Sequence, residues 1–186
     1  MLLILYVAPT LGVAAGLIPF SYRFIILCVV FLVTVYLSYR QRLLVTELGI
    51  RRPPLLLTIT FAVIPVSLLY VLVAAKVLTP DHESKVGSEF FIFFVFFSAP
   101  AQEFIYRSFL FAQLQAFPEL RAFHRIMCSA LLYGTMHMIY HNIQIVILTT
   151  AIGFIWAWCY ERTNNLLTVA VSHACLGFAA ISLGVI

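Results

Sequence analysis

Gln102, Glu103 and Arg107 stand in the middle of an apolar run that opens at Glu89 and passes through Phe93, Phe94, Phe96 and Phe97. An ionisable side chain at membrane depth costs about 2.5 kcal/mol or more, so such residues are functional candidates by default. Glu103 and Arg107 are four apart, which puts them on one helix face within pairing distance. Pro100 removes a backbone hydrogen bond just before them and predicts a local opening of the helix. Two further apolar runs each carry a histidine: His137, four residues after Tyr133, and His173, four residues before Gly177. A carboxylate and a neutral imidazole can together orient and deprotonate a water. A second imidazole can donate to the oxyanion formed when that water attacks an amide carbonyl. The set predicts three helices converging on one polar cavity, and outlines a peptide-bond hydrolase without a covalent nucleophile. The plainer reading is a structural ion pair with histidines that hydrogen-bond between helices.

Other ways of cutting a peptide bond in a membrane fit less well. An aspartyl mechanism needs two aspartates in helices, and the only aspartate is Asp81, in a loop. The His-Glu-x-x-His zinc motif is absent, because Met138 follows His137. His137 and His141, with help from Glu103 or His173, are the remaining zinc candidates; the expectation is no metal and no cofactor. Ser98 and Ser172 lack the glycine-flanked setting of a serine nucleophile.

These residues need elements to hold them, and the composition says what kind. Of 186 residues, 63% are hydrophobic and 10% charged, with a mean hydropathy of +1.07. A soluble domain carries about 25% charged residues, so the bilayer must be the solvent. The expected fold is an all-α integral membrane protein, a bundle of about seven (six to eight) transmembrane helices, forming a single membrane domain over 1–186 with its motif-bearing core at about 89–186. Seven apolar stretches run roughly over 2–20, 24–39, 54–79, 89–117, 121–140, 143–160 and 164–186. The first is read as a membrane helix and not a cleaved signal, since no basic region precedes it. His141 and Asn142 read as a turn between helices, and His82 and His124 as loop residues. Cys28, Cys128, Cys159 and Cys175 fall inside apolar runs as small fillers.

Charge sets the orientation. With the N-terminus inside, the inner loops hold Arg40, Arg42, Arg51, Arg52, Arg121, Arg125 and Arg162, against Arg23, Lys76 and Lys85 outside. The net charge of +4 is spread as topology signals and not as a nucleic-acid footprint.

Gln102-Glu103-x-x-x-Arg107, Tyr133-x-x-x-His137 and His173-x-x-x-Gly177, in that order, resemble the CPBP family, the CAAX proteases and bacteriocin-processing enzymes. That family's pattern is Glu-Glu-x-x-x-Arg, Phe-x-x-x-His and His-x-x-x-Asn. The run from Gly153 through Trp156 and Trp158 to His173 is also similar, and the likeness covers about residues 95–180. The resemblance implies an intramembrane glutamate-type endopeptidase acting on a membrane-anchored protein or peptide, such as a CAAX-like end or a sorting signal. Carried over, the first glutamate position and His137 activate water, Glu103 and Arg107 organise the site, and His173 belongs to the oxyanion hole. Three positions depart from the pattern. Tyr133 keeps the aromatic ring of the family's Phe. Gly177 lacks the Asn donor. Gln102 holds the place of the first glutamate, and an amide cannot accept the proton at neutral pH. An engineered knockout, a natural non-catalytic relative, and a site that uses Glu103 as base each account for it.

The competing functions are a membrane binding or chaperone-like protein that recognises hydrophobic peptide ends, and a small transporter with a proton relay. The expected location is the cytoplasmic membrane of a prokaryote.

Overall fold

The computed structural model describes residues 2–80 and 87–185, so Asp81, His82 and Lys85 lie outside the described residues. Seven helical segments follow the seven apolar stretches. They are α1 (Ile4–Ala14), α2 (Arg23–Arg40), α3 (Leu55–Ala74), α4 (Ser88–Gln115), α5 (Ala122–Met136), α6 (Ile143–Thr163) and α7 (Leu166–Ser182). In a bilayer every backbone polar group needs an internal partner, which is why such runs become helices. Among the described residues four helices, α2 (extended by the turn at Phe20), α3, α4 and α6, are long and apolar enough to cross a membrane. The chain is an integral membrane protein.

The first stretch is a correction in length. Its helix closes at Ala14 and not near residue 20, and Tyr6 Oη donates to Ile105 O at 2.7 Å against mid-α4. His124 is a second correction: it lies exposed in the first turn of α5.

Helix α4 is the buried axis. From Ala101 to Phe111 every residue is buried, enclosed by α2, α5 and α7. Lipid offers no hydrophobic drive between helices, so close packing and interhelical hydrogen bonds hold them. Small residues let the backbones approach: Ala99, Ser108, Ser129 and Ala157 are fully buried. Ser129 Oγ donates to Tyr106 O at 2.8 Å, and Thr58 and Thr168 pair their hydroxyls at 3.0 Å between α3 and α7.

Asparagines make the turns. His141 is left-handed (φ 52°) and Asn142 accepts from the Gln144 and Ile145 amides, starting α6. Asn164 (φ 44°) ends α6, and Asn165 caps α7 by accepting from Thr168 N. The Asn165 amide also donates to the carbonyls of Arg51 and Arg52, while Leu166 N donates to Gly49 O. Gln41 and Gln113 join the α2 and α4 ends through their side-chain amides. The 41–54 loop, the 116–121 connection and the 164–165 turn thus share one end of the bundle. Arg40, Arg42, Arg51, Arg52, Arg121, Arg125 and Arg162 gather there, and among the described residues the far end has Arg23 and Lys76.

Candidate active site

Helix α4 reaches the site in a distorted form. Two wide π-turns, Phe94–Ser98 and Phe104–Phe109, flank the ordinary α-helical turn Ala99–Glu103. Pro100 has no amide hydrogen and crowds the carbonyl four residues before it. The wider turn ahead of it relieves both, as the sequence predicts for this position. Such bulges recur at functional sites, and here they set the directions of Gln102, Glu103 and Arg107.

Glu103 and Arg107 are both fully buried. Glu103 Oε2 lies 3.2 Å from Arg107 Nε, in ion-pair contact though off hydrogen-bond alignment. Arg107 Nη2 donates to Gly153 O on α6 at 3.1 Å, and the guanidinium sits 4.5 Å from the Tyr133 ring centroid. On the other side of the carboxylate, His173 Nδ1 donates to Glu103 Oε1 at 2.8 Å. His173 itself stacks on Trp156, with centroids 4.5 Å apart and planes 23° from parallel. Trp156 is fixed in turn by donating to Ser172 Oγ at 2.9 Å. Three helices thus clamp one carboxylate.

His137 comes to the site through a helix end. Its amide bonds Gly134 O, one residue short of the α register, so the Tyr133 carbonyl is left over. The imidazole takes that place, with Nδ1 donating to Tyr133 O at 3.0 Å. A carbonyl only accepts, so the proton is on Nδ1 and the neutral ring has its lone pair on Nε2. Gln102 is fixed by one end only: Nε2 donates to Ser98 Oγ at 3.0 Å, and Oε1, itself buried, has no partner among the described residues.

Gln102, His137 and His173 line one cavity of about 580 Å³, together with residues from all seven helices. Its wall is mostly apolar, with Tyr6, Leu27, Phe61 and Trp156 among the lining residues. Glu103 and Arg107 are not part of that lining and stand behind His173. The five candidate residues therefore come together in two layers: three at the cavity, two bracing them.

The i, i+4 zinc pairing of His137 with His141 has no helix to stand on. His137 opens a 3-10 turn and His141 is left-handed and exposed. Among the described residues no group of three or more His, Cys, Asp or Glu side chains is arranged to hold a metal ion.

Some functional neighbours were not legible as such in the sequence. Ser98 anchors Gln102 and Ser172 anchors Trp156, roles that a search for a serine nucleophile passes over. The Tyr133 hydroxyl, 3.3 Å from His173 Nε2, is invisible when Tyr is read as a ring in place of Phe. Gly177 is packed against Phe94, whose ring would collide with any Cβ there.

A polar site drawn from three helices, facing an apolar cavity inside an all-helical bundle, defines the class: an all-α membrane protein with a buried polar centre. Residues 87–179, half of the chain and all of these motifs, match the family described as type II CAAX prenyl endopeptidase Rce1-like, and the chain belongs to that family. No curated protein and no solved structure matches the chain.

Proposed function

We propose that this protein is an intramembrane endopeptidase that hydrolyses a peptide bond of a membrane-anchored protein or peptide. The observation that carries the reading is the meeting of Gln102, His137 and His173, from three separate parts of the chain, on one apolar cavity. A water in that cavity can hydrogen-bond to the free His137 Nε2. His137 takes a proton as the water oxygen attacks the scissile carbonyl, and returns it to the leaving amine. His173, braced by Glu103 and Arg107, serves the oxyanion as an imidazolium that donates from Nε2 while Nδ1 keeps its bond to Glu103. Gln102 is an amide and cannot take the water's proton, so this chain runs the reaction on His137 alone. Residues 1–186 act as one membrane domain with the motif-bearing core at about 89–186. On the positive-inside rule the arginine-bearing end faces the cytoplasm of a prokaryotic cell.

The test is mass spectrometry of membrane-anchored peptides, prenylated and unmodified, incubated with the protein in proteoliposomes. A new C-terminus that appears with this chain and not with His137→Ala supports the reading. Equal products with both chains overturn it.

A further inference from the structure

Pro65 interrupts the hydrogen-bond ladder of α3 where that helix borders the cavity. In α register the Phe61 carbonyl would accept from the amide of residue 65, and a proline has no amide hydrogen. A carbonyl left over in an apolar setting needs another donor. The Ser172 hydroxyl of α7 supplies it, donating across the helix boundary to Phe61 O. A helical serine ordinarily turns its proton back onto the carbonyl four residues before it. Here the proton goes to α3, and the Ser172 oxygen accepts from Trp156, whose indole can only donate. Ser172 and Trp156 are 0% and 1% exposed, so water does not stand in for either partner.

What this series of bonds fixes is a plane. The χ2 torsion of a histidine is broad, and the Nδ1 bond to Glu103 holds the His173 ring at one atom only. The Tyr133 hydroxyl, 3.3 Å from Nε2, is a long contact. The Trp156 face lies along the ring, 4.5 Å away and 23° from parallel, and an imidazolium is attracted to such a face.

We propose that Ser172 is a positioning residue: joined to Phe61 O at the Pro65 break, it holds Trp156 flat against His173 and so sets the direction in which His173 Nε2 donates. Helix α3, packed against α7, thus shapes the site without contributing a reacting group. The role in catalysis rests on the hydrolytic reading above; the alignment of the rings does not.

Two measurements separate them. The first is NMR in lipid nanodiscs of protein carrying Trp158→Phe, which leaves Trp156 as the only tryptophan, with His173 assigned by His173→Gln. The Trp158→Phe chain shows a hydrogen-bonded indole N–H and His173 ring protons shifted upfield by the indole face. Ser172→Ala moves the indole N–H upfield and returns the His173 protons towards unstacked values. Pro65→Ala shifts both signals the same way by another route: the new amide claims Phe61 O, and the Ser172 hydroxyl turns back to Thr168 O. That variant adds a helix-favouring residue, so it also guards against a packing failure in Ser172→Ala. A hydroxyl with a purely structural role lowers the melting midpoint and leaves the ring signals in place. Signals that stay put in either variant overturn the proposal. The second measurement is peptide cleavage in a Gln102→Glu background. There Ser172→Ala lowers kcat about tenfold with KM unchanged, a part of the roughly 10²–10³ that one oxyanion donor is worth. An unchanged kcat, or a loss confined to KM, overturns the positioning role. Absence of cleavage in every variant overturns the hydrolytic reading and leaves the NMR signals to judge the alignment.

Discussion

The Phe94 ring stands in the space that any side chain at Gly177 would need. The two residues come from a π-turn of α4 and the middle of α7, and the same ring meets His173 edge-on with centroids 5.8 Å apart. The absence of an Asn at 177 is thus matched by a phenylalanine that fills its place.

Restoring that Asn should work only if the ring leaves. Gly177→Asn alone is expected to lower the thermal midpoint and any cleavage. Phe94→Ala with Gly177→Asn should cleave at least about tenfold faster than Phe94→Ala, since one oxyanion donor is worth about 10²–10³. Initial rates and melting midpoints of the four chains check this. A Gly177→Asn chain with an unchanged midpoint would show that the ring moves freely.

Arg107→Ala should be among the most damaging single changes. It leaves the fully buried Glu103 without its cation, a loss of about 3–5 kcal/mol, and removes the bond to Gly153 O between α4 and α6. Denaturant titration in detergent micelles reads it. Replacing both partners, as Glu103→Gln with Arg107→Met, should cost less than Arg107→Ala, because no unpaired charge remains.

Gly134 governs how closely α5 and α6 approach. A Cβ there would strike Thr150, lying 3.2 Å from its backbone Cα. Gly134→Ala should therefore cost about 1–3 kcal/mol by overpacking. It should also displace His137, three residues on, so that cleavage falls more than stability requires. Cleavage per folded molecule, measured beside the midpoint, separates the two effects.

The apolar runs announce the helices because lipid selects for them along the whole length of a run. They do not announce where α1 ends, since its neighbours Gly16, Leu17 and Ile18 are no more polar than its helical residues; what ends it is a positive φ at Gly16. The Glu103–Arg107 pair is readable because both residues lie on one helix, four positions apart. The clamp on His173 is not, as it joins residues 70 positions apart. The π-turns around Gln102 are a matter of hydrogen-bond register, which hydropathy does not encode; Pro100 alone hints at them. The sequence places all five candidate residues near one another, but only the packing of α4 against α5 and α7 separates Gln102, His137 and His173 at the cavity from Glu103 and Arg107 behind it.

The central claim is that Gln102 stands where a general base would act and that His137 works beside it. Initial rates of cleavage of one membrane-anchored peptide by the parent chain, Gln102→Glu, Gln102→Ala and Gln102→Glu with His137→Ala test it most directly. A carboxylate at 102 can take a proton from water and the amide cannot, a difference worth about 10²–10⁴-fold. Gln102→Glu is expected to cleave faster by that order, Gln102→Ala to gain nothing, and the double variant to lose the gain because the two groups act as one unit. Equal rates for the parent chain and Gln102→Glu would contradict the account.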